Sequence, residues 1–159
     1  MNQVRFEDFS DNVSEAIKNV VLNWLEEASS ELESQTITRS RSREVAERWS
    51  HVVNKDKFTA YVGNPMEHAI WEEFGTGEYA LKGNGRKGYW VYVKDSNNNT
   101  RSTKQYTLDE AKQVMAYLRS KGLEAFYTCG QEPVRALHYA FFNNEEELKD
   151  YLRSQLRSL

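Results

Sequence analysis

The stretch that decides the fold lies between residues 89 and 128, and it begins with YWVYV at 89–93. These five residues are aromatic or β-branched, which is typical of a strand. The stretch ends with LEAFYT at 123–128, which has the same character and predicts a second strand. Between them lies TLDEAKQVMAYLRSKG at 107–122, whose pattern is helical. Residues 89–128 therefore predict a strand, a helix and a returning strand.

The central helix of this stretch has a start and an end written into its sequence. Thr107 and Glu110 form a capping box, in which each side chain can satisfy the other residue's backbone amide. Apolar residues then recur at three- and four-residue steps on one face: Ala111, Val114, Met115 and Leu118. Gly122 follows where a left-handed C-terminal cap is expected. We therefore expect a helix that begins after Thr107 and ends before Gly122.

Upstream of this stretch, three further elements are predicted. An apolar stripe from Val13 to Leu32 predicts a helix over residues 11–33. Residues 34–48 are rich in Ser, Thr and Arg, and they predict a flexible loop. Residues 49–63 form two β-branched and aromatic runs separated by Asn-Lys-Asp-Lys, which predicts a hairpin. Residues 66–74 then predict a short helix that ends at Gly75.

The remaining segments complete the expected fold. Five glycines make residues 75–88 a long loop, and Asp95 to Thr103, with three consecutive Asn, predicts a polar turn. A last helix is expected over residues 138–157. The order of elements predicts one α+β domain spanning residues 1–159. We expect an antiparallel sheet of about four strands, packed by a long N-terminal helix, a mid-chain helix and a C-terminal helix.

Composition excludes several classes of protein. The 159 residues include 20 aromatic side chains, too many for a disordered tail. The net charge of −3 argues against a protein that mainly coats nucleic acid. No apolar run is long enough to span a membrane, and residues 1–10 do not resemble a signal peptide. A cytosolic product with the single thiol of Cys129 is expected.

Residues that could carry catalysis are few and scattered. The three histidines are not spaced as metal ligands, and each is more simply a packed or surface residue: His51, His68 and His138. Cys129 and Ser50 lack a recognisable base partner in the sequence. The glycine runs at 75–77 and 83–88 lack the strand-to-helix context of a phosphate loop, so turns are favoured. No catalytic residue, metal or cofactor is predicted.

Basic residues form the main electrostatic feature. Arg39, Arg41, Arg43 and Arg48 lie in the expected loop, and Arg86 and Lys87 lie in the glycine-rich segment. Arginines on a flexible segment can contact phosphates or an acidic partner. Glu44 and Glu47 are interleaved with the first group, which favours a solvated loop instead. Both interpretations stay open at this point.

Two motifs carry a resemblance to a known family. The first is Val62-Gly63-Asn64, then Glu67 and Ala69, then Glu73-Phe74-Gly75-Thr76-Gly77. The second is the aromatic strand at 90–93 with Gly130, Pro133, Leu137 and Ala140 before a charged helix. Together they resemble the pattern of small minor structural proteins of long-tailed bacteriophages, described as head–tail joining, neck or tail-completion proteins.

The chain departs from that pattern at Thr36 to Arg43, which contain no glycine. It also departs at His68, where Tyr is common, and at Arg135-Ala136, where Pro-Phe is usual.

This resemblance implies a structural role without enzymatic activity. The protein is expected to be a protomer of an oligomeric ring in the phage neck or tail-completion region, linking capsid to tail. Its partners would be further copies of itself and other neck proteins or the tail tube protein, with DNA only passing through the channel. It would be made in the host cytoplasm, from an active phage or a prophage, and end in the virion. No membrane is involved.

In this interpretation the motif shapes the fold. Phe74 would anchor the short helix to the sheet, Glu73 would accept backbone hydrogen bonds across the turn, and the glycines would release the chain into the loop. Contacts to partners or DNA would come from the arginine-rich and glycine-rich segments. Two alternatives remain: a nucleic-acid-binding module that uses Arg39 to Arg48, and an enzyme with an unfamiliar site.

Overall fold

The computed structural model describes residues 10–94 and 100–159, which form five helices and three small antiparallel sheets. The predicted α+β fold class is therefore confirmed. Contacts within the chain group the residues into two compact units. Unit 1 consists of Met1–Pro65 with Ala136–Leu159, and unit 2 consists of Met66–Arg135. Each unit is described by itself below.

Unit 1 begins with helix α1, which runs from Ser10 to Arg39 and is longer than the predicted 11–33. The flexible loop predicted for 34–48 is therefore wrong over its first part. Thr36 is fully buried, and its hydroxyl donates to the Leu32 carbonyl over 2.6 Å. The Ser29 hydroxyl donates to the Leu25 carbonyl, also over 2.6 Å. These internal hydrogen bonds let small hydroxyl residues occupy helix positions that composition alone assigns to a loop.

The second part of the predicted loop also contains a helical turn. Helix α2 spans Arg43–Ala46, and the Ser42 hydroxyl caps it by accepting from the Val45 amide over 3.3 Å. Val45 is only 1% exposed, so this turn contributes a side chain to the core of unit 1. A single buried valine is thus enough to hold a segment whose other residues are mostly polar.

The hairpin predicted for 49–63 is confirmed. Strand β1 spans Ser50–Asn54 and pairs antiparallel with β2, Thr59–Gly63, so that Val52 lies opposite Tyr61. The Asn54 side chain closes the turn by accepting from the Lys57 amide over 2.9 Å. This two-stranded sheet contacts α1 through both of its strands.

Helix α5, Ala136–Arg157, completes unit 1 and begins two residues before the predicted 138. It packs along α1, and the two helices meet at small side chains: Ala28 is 7% exposed and Ala140 is 0% exposed. Polar groups add specific links. The Trp24 indole donates to the Leu148 carbonyl over 2.7 Å, and the Gln35 and Asn144 amides exchange hydrogen bonds of 3.0 and 2.7 Å.

Unit 2 contains the remaining elements. In chain order they are α3 (Glu67–Phe74), β3 (Thr76–Gly77), β4 (Trp90–Val93), β5 (Thr100–Arg101), α4 (Leu108–Ser120), β6 (Ala125–Thr128) and β7 (Gly130–Gln131). Strands β4, β5 and β6 form a sheet of order β5-β4-β6, while β3 pairs with β7. The strand–helix–strand prediction for 89–128 is confirmed with one added strand, β5. The predicted loop at 75–88 contains the short strand β3.

The single sheet of about four strands is wrong, because the strands are distributed over three separate sheets. Those strands are two to five residues long, and within the described residues each pairs with one or two neighbours. The polar turn predicted for Asp95 to Thr103 lies partly outside the described residues, at 95–99.

The core of unit 2 lies between the three-stranded sheet and α4. Val91 and Ala125 from the sheet are buried against Ala111 of the helix, and partly buried side chains surround them: Tyr89, Val93, Tyr106, Val114, Met115, Leu118 and Tyr127. In a strand, alternate side chains point to opposite faces. The other face of this sheet therefore carries Trp90, Tyr92 and Phe126.

Helix α4 begins with the predicted capping box. The Glu110 amide donates to the Thr107 hydroxyl over 3.3 Å, and the Thr107 amide donates to the Glu110 carboxylate over 2.8 Å. This second hydrogen bond lowers the pKa of Glu110.

We expect Thr107→Ala to lower the free energy of unfolding by about 1 kcal/mol, the usual effect of losing a helix N-cap. Urea unfolding followed by circular dichroism measures this change. The control is Thr103→Ala, because Thr103 is exposed and lies outside the helix. Equal stability of the two variants would contradict a role for the cap.

Candidate functional site

The two halves of the motif meet in unit 2, in a structure that we call the glycine corner. It consists of β3 and β7, with Thr76 opposite Gln131 and Gly77 opposite Gly130. The Gln131 amide donates to the Thr76 hydroxyl over 3.0 Å, and the Glu78 amide donates to the Cys129 carbonyl over 2.8 Å. Segments that are far apart in the chain are thus joined through their backbones.

Glycine is required at the corner because the backbones approach too closely for a side chain. A Cβ atom on Gly77 would lie 2.1 Å from the Cys129 carbonyl oxygen, and one on Gly130 would lie 2.1 Å from that of Thr76. A Cβ on Gly75 would lie 2.6 Å from the Tyr79 carbonyl oxygen and 3.0 Å from Pro133 Cδ. All three glycines also have positive φ angles, of 71°, 60° and 131° for residues 75, 77 and 130.

Helix α3 enters the corner through its last turn. The Gly75 amide donates to the Trp71 carbonyl over 2.9 Å, and the Val134 amide donates to the Glu72 carbonyl over 2.6 Å. The anchoring role predicted for Phe74 is wrong, because its ring is 47% exposed and lies 5.9 Å from the Lys82 ammonium. Backbone hydrogen bonds take that role instead. Acceptance of hydrogen bonds by the Glu73 carboxylate stays a prediction.

The other motif residues belong to unit 1, where they stabilise loops and helices. Gly63 is the last residue of β2 and pairs with Ser50. The Asn64 side chain donates to the Val45 carbonyl over 2.7 Å and so holds the α2 turn. On α5, Leu137 is half-buried and Ala140 is fully buried against α1.

The predicted basic residues fall into two groups that differ in their surroundings. In unit 1, Arg39, Arg41, Arg43 and Arg48 are exposed, and Arg43 pairs with Glu47 over 2.6 Å. In unit 2, Lys87 pairs with Glu78 over 3.6 Å. Arg86 is half-buried, donates to the Lys104 carbonyl over 2.7 Å, and lies 4.9 Å above the Trp90 ring. Arg86 is thus held in place by both a hydrogen bond and an aromatic ring.

Beside the glycine corner lies an open groove of about 540 Å³, which we call the aromatic groove. Its wall and floor include His68, Trp71, Arg86, Trp90, Tyr92 and Gln131. The His68 and Trp71 rings, one helical turn apart on α3, are 4.7 Å apart between centroids. None of the described residues that line this groove carries a carboxylate.

Cys129, His138 and Ser50 have separate surroundings. Cys129 Sγ lies 3.9 Å from the Tyr79 hydroxyl, and this contact raises the pKa of Tyr79. His138 packs against Tyr139 and Phe142 of its own helix. Ser50 pairs with Gly63 at the start of β1. Within residues 10–94 and 100–159, no cluster of three His, Cys, Asp or Glu residues could hold a metal ion.

His51 makes ionic contacts that sequence reasoning did not find. Its Nδ1 atom lies 2.5 Å from Glu33 and its Nε2 atom 3.3 Å from Glu26, both on α1. The hydrogen bond to Glu33 is the main reason that the pKa of His51 is raised, and the one to Glu26 adds to it. The two ring nitrogens point in opposite directions, so the carboxylates do not share one metal position. The sequence did contain one signal for these contacts. Glu26 and Glu33 are seven residues apart, a spacing that places both on one face of a helix.

The aromatic groove was also missed by sequence reasoning. Trp90 and Tyr92 are two residues apart in a strand, so the sequence does place them on one face. What the sequence could not show is that Trp71, His68 and Gln131 face them, because these residues belong to distant segments.

Comparisons with protein-family models, with curated proteins and with solved structures find no match to this chain. Of the described helices, none combines the length and apolar character needed to cross a bilayer.

We expect Gly77→Ala to destabilise the protein far more than Gly83→Ala. Both glycines have positive φ angles, of 60° and 68°, but a Cβ on Gly83 meets no atom within 4 Å. The Gly83 variant should lose about 1 kcal/mol through backbone strain, and the Gly77 variant about 3 kcal/mol or more because of the added clash. Urea unfolding measures both values, and equal losses would contradict the close backbone approach.

The ion pairs of His51 predict a pH dependence of stability. The raised pKa stabilises the fold fully below the unfolded-state value of about 6.5, and this contribution is lost as the pH rises through the folded-state pKa. The difference in urea midpoint between wild type and His51→Gln should therefore be larger near pH ~6 than near pH ~8.5. Glu33→Gln should remove most of this dependence. A difference that does not change with pH would exclude ion pairing at His51.

Proposed function

We propose that this chain is a structural subunit of a bacteriophage neck or tail-completion ring that links capsid to tail. It acts through protein–protein interfaces, and its partners are further copies of itself together with other neck proteins or the tail tube protein. The proposal rests on the resemblance of the two sequence motifs and on what their residues do in the fold.

The observation that supports this proposal most is the use of the motif residues. Gly75, Thr76 and Gly77 lie against Gly130 and Gln131 and are occupied by backbone pairing and close approach. Residues used in this way specify the shape of a subunit, and they leave no side chain for acid, base or nucleophile chemistry. A motif of this kind is what a building block needs, whereas an enzyme motif would contain reactive groups.

The exposed apolar side chains of unit 1 favour an assembly role. Val52 and Tyr61 lie directly opposite each other in the hairpin, and they are 65% and 64% exposed. Val13 and Ile17 on α1 and Phe142 on α5 are also largely exposed. Neighbouring exposed apolar residues, such as the Val52 and Tyr61 pair, mark interaction surfaces more often than scattered single ones do.

The hairpin has a second property that suits a ring protomer. In the described part of the chain, β1 and β2 pair only with each other, so the outer edge of each strand is unpaired. An unpaired edge can accept a strand or loop from a neighbouring molecule. A ring requires an interface between two different surfaces of the same subunit, and an exposed hairpin supplies one of them.

We expect Tyr61→Lys to weaken assembly at least tenfold without lowering thermal stability, because an exposed aromatic at an interface centre contributes strongly to binding. Assembly is measured by size-exclusion chromatography with light scattering, for the subunit alone and mixed with the tail tube protein of the same genome. The matched control is Tyr117→Lys, since Tyr117 is 62% exposed but lies on α4 of unit 2.

Two results would count against the proposal. One is the absence of any higher-mass species in wild-type mixtures, and the other is equal loss of assembly in both tyrosine variants. The gene's neighbours provide an independent check, because portal, capsid and tail tube genes are expected beside it.

The alternative of a nucleic-acid-binding module that uses Arg39 to Arg48 finds less support. Arg39 lies in the last turn of α1, where a positive charge is favoured by the helix dipole, and Arg43 pairs with Glu47. Arg39 and Arg43 thus have local roles. This alternative requires tight binding that weakens steeply with salt and is lost in Arg41→Gln and Arg48→Gln.

A further inference from the structure

We propose that the aromatic groove of unit 2 binds unpaired nucleobases of a single-stranded nucleic acid. This goes beyond the proposed ring function and depends on the aromatic and basic side chains of the groove, so that either proposal can fail without the other.

The floor of the groove is one face of the three-stranded sheet. Val91 and Ala125 point toward α4, so alternation directs Trp90, Tyr92 and Phe126 to the opposite face. The Tyr92 and Phe126 rings are nearly parallel, with centroids 5.5 Å apart and planes 25° apart. A sheet whose open face carries aromatic rings is a platform on which bases can stack, because every base has a π-face.

The wall of the groove adds further flat groups. Trp71 and His68 come from α3, and their rings contact each other at 4.7 Å. The groove is open, and the Tyr92 and Trp71 rings are only partly buried, whereas Trp90 is 9% exposed beneath Arg86 and serves as its support. An extended single strand could therefore place successive bases against side chains of the sheet and the helix, whereas the paired bases of a duplex do not expose their faces.

Arg86 supplies the positive charge that a phosphodiester chain requires. Its guanidinium is fixed by the hydrogen bond to the Lys104 carbonyl and by the Trp90 ring beneath it. A guanidinium held in this way presents its second face for stacking and its remaining N–H groups for phosphate oxygens.

The charge pattern distinguishes a nucleic acid from other occupants. The whole chain has a net charge of −3, yet the described residues that line the groove include an arginine and no carboxylate. A local absence of acidic groups on an acidic protein favours an anionic ligand. Aromatic rings together with a fixed guanidinium favour one that also has flat bases. The alternative occupant is a proline-rich peptide, which also docks on aromatic rings but needs no cation.

The first measurement is quenching of tryptophan fluorescence by single-stranded (dT)12 and (U)12 at low salt, with a 12-base-pair duplex as control. We expect binding on the order of 10 µM that weakens with salt, and much weaker binding of the duplex. The DNA and RNA strands separate the two sources, since only RNA carries the 2′-hydroxyl. Quenching by a proline-rich peptide, with none by either strand, would overturn the proposal.

Variants then assign the binding to the groove. Tyr92→Ala should weaken binding by roughly 5- to 100-fold, the effect of losing one stacking partner. Arg86→Gln should lower both the affinity and its salt dependence. The matched controls are Tyr117→Ala and Arg43→Gln, which remove an exposed ring and an exposed arginine outside the groove. Loss of binding in the controls, with normal binding in the groove variants, would overturn the assignment.

A measurement on the unaltered protein guards against variants that fail to fold. Ultraviolet crosslinking of wild type to a 4-thiothymidine-substituted (dT)12, followed by peptide mass spectrometry, should place the crosslinks at Trp71 or within Trp90–Tyr92. Crosslinks confined to unit 1, or none at saturating strand, would contradict the proposal.

Discussion

The structure of unit 2 depends on one constraint, the contact between the backbones of β3 and β7. There is no room for a methyl group at Gly77 or Gly130, because a Cβ atom on either residue would lie 2.1 Å from a carbonyl oxygen. Two-stranded pairing of only two residues is weak by itself. Close approach brings the backbones within hydrogen-bond distance, with 2.8 Å from the Glu78 amide to the Cys129 carbonyl, so that a short contact joins two distant segments. The same glycines set the direction in which α3 and the loop after β3 leave the corner.

The aromatic groove follows from this corner. Because glycines form the corner, no side chain projects from Gly77 or Gly130 into the space beside it. Large side chains from α3 and the sheet surround that space instead, and Arg86 lies at its edge on the Trp90 ring. The motif that shapes the corner therefore also leaves an opening lined by aromatic groups. The proposed assembly role and the proposed binding of nucleobases thus draw on one part of the chain.

Local signals in the sequence predicted the local structure well. The capping box at Thr107, the hairpin at 49–63 and the end of α3 at Gly75 all involve neighbouring residues, and the structure contains each of them. Most of the failures depend on contacts between distant segments. Thr36 lies in a stretch with loop-like composition, yet it is buried within α1, where Gln35 bonds to Asn144 of α5. Tertiary packing overrides helix propensity there.

The candidate site was predictable only in part. The glycines of both motif halves were identified, but their pairing across 53 positions was not, because register between short strands has no local signature. His51 meets Glu26 and Glu33 only after the hairpin packs on α1. For Phe74 the prediction failed in the opposite direction. The side chain was expected to be buried as an anchor, but it is exposed, and backbone hydrogen bonds anchor the corner instead.

The link between Trp24 and Leu148 spans 124 residues, and this has a consequence for how the protein is synthesised. At about 5–20 residues per second, a ribosome needs roughly 6–25 seconds to deliver the second partner after the first. Unit 2 is continuous in the chain and emerges within that interval, so it can fold on the nascent polypeptide before unit 1 is complete. Throughout this interval the apolar side of α1 stays uncovered, because α5 has not yet been synthesised. We therefore expect chaperones to bind the nascent chain at that stage.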